Sequence, residues 1–89
     1  MGSLEKIKTE KLRETVIHGY DTDFKIVLTQ TKQSHKGVSI YKVFIELKRY
    51  GELYDSFESY ATHSREKSDR YFSGLESRYP EKRLTRKIF

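Results

Sequence analysis

The sequence predicts an α+β fold in which a three-stranded antiparallel sheet packs against a C-terminal helix. Three segments, residues 24–31, 39–48 and 52–62, are rich in β-branched and aromatic residues and mostly alternate apolar with polar positions. Residues 64–79 instead repeat apolar side chains at helical spacing. In an alternative version of this prediction, a strand at the N- or C-terminal end extends the sheet to four strands.

The N-terminal segment, residues 4–18, is compatible with two structures. Four apolar residues recur there at near-helical spacing: Leu4, Ile7, Leu12 and Val16. Gly19 follows as a C-terminal cap, so we predict an N-terminal helix. The alternative is a strand over residues 14–18, because three successive residues at 15–17 are β-branched. Residues 20–23 are then predicted to form a turn.

The first strand covers residues 24–31, and a polar loop over residues 32–37 follows it. The next two strands form a hairpin, residues 39–62, for which we predict a three-residue turn with Gly51 in the left-handed conformation. This register pairs like with like and charge with opposite charge: Lys48 with Glu52, Leu47 with Leu53, Val43 with Phe57 and Lys42 with Glu58. A two-residue turn would place Tyr50 at positive φ and is the less favoured alternative.

The predicted register divides the hairpin into two faces. The core face carries Tyr41, Val43, Ile45, Leu47, Leu53, Phe57 and Ala61. The opposite face is mixed, and its aromatic residues are Phe44, Tyr54 and Tyr60 together with the apolar Ile40. This is more apolar area than a purely solvated face requires, so Phe44, Tyr54 and Tyr60 form a candidate protein interface.

The helix is predicted to begin after Ser64, which can cap its N-terminus, and to end at Tyr79 before Pro80. Its apolar stripe consists of Ser68, Phe72, Leu75 and Tyr79, with Tyr71 beside it. Glu66 and Arg70 are spaced as an i,i+4 ion pair. We expect one domain over residues 1–80, followed by a basic tail or short edge strand over residues 81–89.

Composition excludes several classes of site. The chain of 89 residues contains no Cys, which removes disulfides, thiolate nucleophiles and Cys-based zinc sites. No run approaches the roughly 20 apolar residues of a membrane-spanning helix, and no signal-peptide pattern opens the chain. We therefore expect a cytoplasmic protein that contacts no membrane and needs no cofactor.

Positive charge is concentrated near the C-terminus. The formal net charge is +5, and residues 64–87 alone hold eight Lys or Arg against four Asp or Glu. A basic surplus gathered in one region favours binding of nucleic acid or an acidic protein surface. The candidate nucleic-acid-binding residues are Lys32, His35, Lys36, Arg65, Lys67, Arg70, Lys82, Arg83, Arg86 and Lys87.

The predicted order of helix, three strands and helix resembles the double-stranded-RNA-binding domain. The resemblance implies duplex binding through the loop at residues 32–36 and the N-terminus of the last helix. The chain departs from that family because Glu66 lies in the helix start, and because Tyr71 and Phe72 replace small residues.

A second motif, Glu46 followed by Lys48 on one strand, resembles the Glu-x-Lys signature of restriction-endonuclease-like nucleases. The resemblance implies a divalent metal held by Glu46 and an upstream Asp, with Lys48 positioning a water. No carboxylate lies between Phe24 and Ile45, so Asp21 or Asp23 would have to supply that ligand.

These observations rank three functions. A small non-catalytic nucleic-acid-binding domain that uses its basic C-terminal region comes first. A protein-interaction or inhibitor module that uses the aromatic sheet face is the alternative, and a divalent-metal nuclease is the third. Salt dependence separates the first two, because phosphate contacts weaken steeply as salt rises. The oligomeric state stays open.

Overall fold

The computed structural model of the chain describes residues 7–18, 24–79 and 83–88. Its elements in chain order are β1 (Lys8–His18), β2 (Phe24–His35), β3 (Val38–Arg49), β4 (Glu52–Thr62), α1 (Arg65–Ser77) and β5 (Arg83–Ile88). The strands pair antiparallel in the order β4-β3-β2-β1-β5, and α1 packs against β2, β3 and β4. The predicted α+β class, with an antiparallel sheet packed on a C-terminal helix, is confirmed.

Both ends of the described chain add a strand to the predicted sheet. The prediction of an N-terminal helix is wrong for residues 8–18, which form β1, and residues 4–6 lie outside the described part. β1 hydrogen-bonds to β2 along one side and to β5 along the other. Thr15 and Ile17 are two positions apart and both lie on its buried face, as expected where β-branched residues line a half-buried strand. The order of elements therefore differs from that of the double-stranded-RNA-binding domain.

Two loop predictions have different outcomes. The predicted loop over residues 32–37 is shorter in the structure, because β2 continues to His35 and only Lys36 and Gly37 form the turn. Both turn residues have positive φ, of 51° and 77°, which is the geometry of the two-residue turns that match strand twist. The predicted turn over residues 20–23 and the Gly19 cap lie outside the described residues.

The predicted three-residue turn between β3 and β4 is wrong. Arg49 pairs with Glu52 across a two-residue turn in which Tyr50 and Gly51 have φ of 54° and 80°. A non-glycine residue pays about 1 kcal/mol for this conformation, but the turn lets the strands keep their natural twist. The Arg49 guanidinium also lies 5.3 Å from the centre of the Tyr50 ring.

The predicted pairing of β3 with β4 changes with the turn. Two register shifts occur along the hairpin, and each inserts an extra residue into β4, first Tyr54 and then Ser59. Ile45 therefore pairs with Phe57, and Val43 pairs with Tyr60. The expected attraction between Lys42 and Glu58 survives as a diagonal ion pair of 3.0 Å.

The two-residue turn and the second shift change the predicted faces of Leu53, Tyr60 and Ala61, whereas Phe57 stays opposite Ile45 on the face that packs on the core. Leu53 and Phe57, expected in the core, are 57% and 50% exposed, and Ala61 is exposed too. Tyr60, expected on the open face, packs against the core instead. One extra residue turns every later side chain of a strand to the other face, and that is what occurs between Glu58 and Tyr60.

The core lies between the sheet and α1. Its buried members come from three strands and the helix: Ile17, Leu28, Val43, Phe72 and Leu75. Ser64 caps α1 as predicted by accepting a hydrogen bond from the Lys67 amide, and Ser68 is buried beside Phe72. The helix ends two residues earlier than predicted, at Ser77, while Tyr79 still packs on the core.

A polar network ties the helix to the centre of the sheet. The buried Gln30 amide donates to Ser68 Oγ and to Asp69 Oδ1, each at 2.8 Å. Arg13 on β1 pairs with the same carboxylate and lies over the Phe72 ring. Since a buried amide is costly without partners, this network favours one position of α1 along β2.

Candidate functional site

A groove of about 510 Å³ runs between α1 and the end of β4. Seven residues line it: Tyr60, Lys67, Arg70, Tyr71, Gly74, Leu75 and Arg78. None of the seven is acidic. The groove lies beside the buried stripe of the helix, so the packing that forms the core also orients these side chains.

Helical periodicity explains how one short helix and its C-cap residue, Arg78, supply six of the lining residues. Lys67, Tyr71, Gly74 and Arg78 follow one another at i, i+4, i+7 and i+11, which places them along one strip of the helix. The buried residues Ser68, Phe72 and Leu75 form the adjacent strip. Because Ser68, Phe72 and Leu75 are anchored in the core, the neighbouring strip with Lys67 and Arg78 lines the groove beside β4.

Two aromatic rings form one wall of the groove. Tyr60 of β4 and Tyr71 of α1 stack with ring centroids 4.5 Å apart and planes 15° from parallel. The Tyr71 hydroxyl is held by hydrogen bonds to the side chain and the carbonyl of Ser59. The extra residue in β4 is therefore the residue that fixes the aromatic wall.

Three cations surround this wall, namely Lys67, Arg70 and Arg78, and all three are exposed. Arg70 pairs with Glu66 at 2.8 Å, but both side chains are more than 70% exposed, at 74% and 82%. An ion pair so exposed contributes only about 0–1 kcal/mol. An anion in the groove can compete with Glu66 for that guanidinium.

The structure brings only some of the predicted binding residues together. Lys67 and Arg70 line the groove, whereas Arg65 lies outside its lining and pairs with Asp69 at 3.8 Å. Lys32 is half-buried within β2. His35 and Lys36 border a separate, smaller groove of about 360 Å³ at the β2–β3 turn.

The C-terminal cations occupy another place in the fold. Arg83, Arg86 and Lys87 lie in β5, whose backbone pairs with β1, and Lys82 lies outside the described residues. Lys87 pairs with Glu14, which itself faces Thr29. Thr29 precedes Lys36 by seven positions, or about 23 Å of strand. The backbone of β5 near Lys87 therefore lies well away from the β2–β3 turn.

The three residues of the predicted protein interface separate in the structure. Tyr54 is exposed, Phe44 is half-buried, and Tyr60 lies in the groove against Tyr71. A different apolar set is exposed along the edge strand, namely Leu53, Tyr54 and Phe57. The extra residue Ser59 accounts for the place of Tyr60, and the two-residue turn accounts for that of Leu53.

The predicted nuclease motif has a structural partner of its own. Glu46 accepts a hydrogen bond of 2.6 Å from Thr29 Oγ1. Within residues 7–18, 24–79 and 83–88, no three His, Asp or Glu side chains are grouped so that they could hold a metal ion. Asp21 and Asp23, the required upstream ligands, lie outside those residues.

A membrane-spanning helix is not found among the described residues, since α1 is too short and too polar for that role.

Sequence reasoning missed Arg78, Tyr71 and Gly74 as parts of a site. The available signal was the recurrence of Lys67, Gly74 and Arg78 on one strip of the predicted helix, with Arg70 beside it. Tyr60 could not be added from that pattern, because its place depends on the register of β4.

Comparison of the chain with models of known protein families, with curated proteins and with solved structures finds no match.

Proposed function

We propose that this chain is a small non-catalytic nucleic-acid-binding domain whose contact surface is the groove between α1 and β4. The observation that carries the proposal is the lining of that groove, which contains Lys67, Arg70 and Arg78 and no acidic residue. Cations gathered in this way attract a polyanion and release its counterions on binding.

The chemistry of the three side chains suits phosphate groups. Two of them are Arg, whose planar guanidinium can donate two parallel hydrogen bonds to one phosphate. Lys67 adds a compact charge close to the helix start. The remaining positive surplus of the chain, with a net charge of +5, supports attraction of a polyanion over longer distances.

The test is fluorescence anisotropy of the full chain with labelled single-stranded DNA, duplex DNA and duplex RNA, at about 50 to 200 mM salt. The groove variant carries Lys67→Gln, Arg70→Gln and Arg78→Gln. Its matched control carries Lys8→Gln, Lys11→Gln and Arg49→Gln, which removes the same charge from exposed positions outside the groove.

We expect the unaltered chain to bind with an affinity that falls steeply with salt. The groove variant should bind more weakly, and its plot of log affinity against log salt should flatten by about 2 units for a single strand. The control should keep the original slope. Equal loss in both variants would mean that net charge alone drives binding, and no binding at low salt would end the proposal.

The cations of β5 and of the β2–β3 turn remain separate predictions. Because these two groups lie far apart, a ligand bound in the groove need not reach both. Changing Arg83, Arg86 and Lys87 together to Gln measures the β5 contribution, and changing Lys32 and Lys36 to Gln measures that of the turn. A slope that stays unchanged in either variant would remove that group from the binding surface.

A second candidate function is protein interaction through β4. Leu53, Tyr54 and Phe57 are exposed within five positions of the edge strand β4, and exposed aromatic and aliphatic side chains of this kind can form the centre of a protein interface. Binding through these apolar residues should change little with salt, unlike binding to phosphates. Changing Leu53 and Phe57 to Ser should abolish such an interaction and leave nucleic-acid binding intact.

A further inference from the structure

We propose that the groove recognises an unpaired base together with its flanking phosphates, so that the ligand is a single-stranded nucleic acid. This inference rests on the proposed function and adds the class of nucleic acid. Its basis is the juxtaposition of the stacked Tyr60 and Tyr71 rings with Lys67, Arg70 and Arg78 in one groove.

The aromatic wall is suited to stacking. A base presents a flat π-face whatever its identity, and aromatic side chains beside cations are the usual platform for single strands. Tyr60 and Tyr71 are already parallel, and the hydroxyl of Tyr71 is anchored on Ser59. Little ordering of these rings is therefore needed when a base arrives, which favours binding.

The size of the groove favours a strand over a duplex. Its volume of about 510 Å³ lies within the range of pockets that enclose a small molecule. Lys67 and Arg78 are eleven helical positions apart, or about 16 Å, which leaves room for phosphates on both sides of a central base. A paired base is stacked inside its helix and cannot reach the tyrosines.

Gly74 supplies an independent observation. It lies inside α1 with ordinary helical φ, and a Cβ placed there would meet no atom within 4 Å. Glycine weakens a helix interior relative to alanine, so neither backbone geometry nor packing explains its presence. Its effect is to leave open the part of the groove between Arg70 and Arg78.

The experiment compares two labelled oligonucleotides of equal length, one of thymidine and one with abasic sugars, so that the phosphates are the same and only the bases differ. The proteins are the full chain, Gly74→Leu, and Gly74→Ala as the smaller control. Gly74→Leu adds bulk to the groove and leaves Lys67, Arg70 and Arg78 unchanged in sequence, and its melting temperature verifies folding.

We expect the thymidine strand to bind roughly 5- to 100-fold more tightly than the abasic strand, which is the range of one stacked base. Gly74→Leu should remove this difference while retaining the salt slope and the melting temperature. Gly74→Ala should retain most of the difference. Duplex DNA with the same number of phosphates should bind like the abasic strand.

Three results would overturn the inference. Equal affinity for thymidine and abasic strands would leave phosphate binding intact and remove base recognition, so the proposed function would survive alone. Tighter binding of a duplex, or of a polyglutamate peptide, would assign the groove to a different ligand. Absence of binding to either oligonucleotide would reject both the inference and the proposed function.

Discussion

The two hairpins of the sheet share their turn geometry and differ in everything that follows it. In β2–β3 and in β3–β4, a non-glycine residue and then a glycine occupy the two turn positions with positive φ. The β2–β3 pairing continues through twelve residue pairs without a shift, whereas the β3–β4 pairing shifts twice. The same kind of turn therefore does not guarantee the same kind of ladder.

Burial explains the difference. Five consecutive residues of β2, from Val27 to Thr31, are buried. A shift by one position would turn Leu28 away from the core and Gln30 away from its hydrogen-bond partners on α1. The first seven residues of the edge strand β4 are all exposed, and an extra residue there costs little. Edge strands that are twisted by bulges are also less able to pair with other chains.

The largest expected difference in stability between β2 and β4 is that between the variants Leu28→Ala and Leu53→Ala. Leu28 is fully buried in the core, while Leu53 is 57% exposed on β4. We expect Leu28→Ala to lower the free energy of unfolding by about 2–5 kcal/mol, and Leu53→Ala by no more than about 0.5 kcal/mol. Urea unfolding followed by circular dichroism measures both. Similar losses for the two variants would contradict the explanation that burial distinguishes β2 from β4.

The next test removes the polar link between β2 and the helix. Gln30→Leu takes away both hydrogen bonds donated to Ser68 and Asp69, and we expect a loss of about 1–3 kcal/mol. Tyr71→Phe removes the hydrogen bonds that join the helix to Ser59 of β4, and it should cost only about 1 kcal/mol. Chemical denaturation measures the free energy of unfolding of both variants. A larger loss for Tyr71→Phe would mean that the helix is held more firmly by β4 than by β2.

The turns themselves provide a matched pair. A Cβ added at Gly37 or at Gly51 would meet no atom within 4 Å, so only the positive φ disfavours Ala at these positions. We expect each to cost about 1–2 kcal/mol. Hydrogen exchange should show that Gly51→Ala loosens mainly β4, while Gly37→Ala loosens β2 and β3 together. Uniform loosening in both variants would mean that the hairpins do not differ in local stability.

The smallest expected effect is a gain. Tyr50 occupies a left-handed position that Asn tolerates better. Tyr50→Asn should stabilise the domain by up to about 0.5 kcal/mol, because the relief of strain is partly offset by loss of the contact with Arg49. The melting temperature of Tyr50→Asn is measured together with that of Lys36→Asn, which is the equivalent change in the other turn. A clear loss of stability would show that the Tyr50 ring contributes more than its exposure indicates.

Prediction from sequence succeeded where a single element carried its own signal. The helix, its Ser64 cap and its buried residues Ser68, Phe72 and Leu75 are as predicted, since the periodicity and the cap are local properties of the chain. Two of the three groove cations, Lys67 and Arg70, were also singled out. Arg78 was not, because it is the C-cap residue and lies at the opposite end of the helix from the N-terminal cations.

The amino-acid sequence was enough to predict the α+β class, the strands β2, β3 and β4 and the cationic helix, because composition and periodicity act within one element. That residues 8–18 form a strand became clear only from the folded molecule, since that strand depends on partners on both sides. The tertiary structure also decided the register of β4, and with it the meeting of Tyr60 and Tyr71. In an exposed edge strand, alternative registers differ by little free energy, so the local pattern cannot select among them.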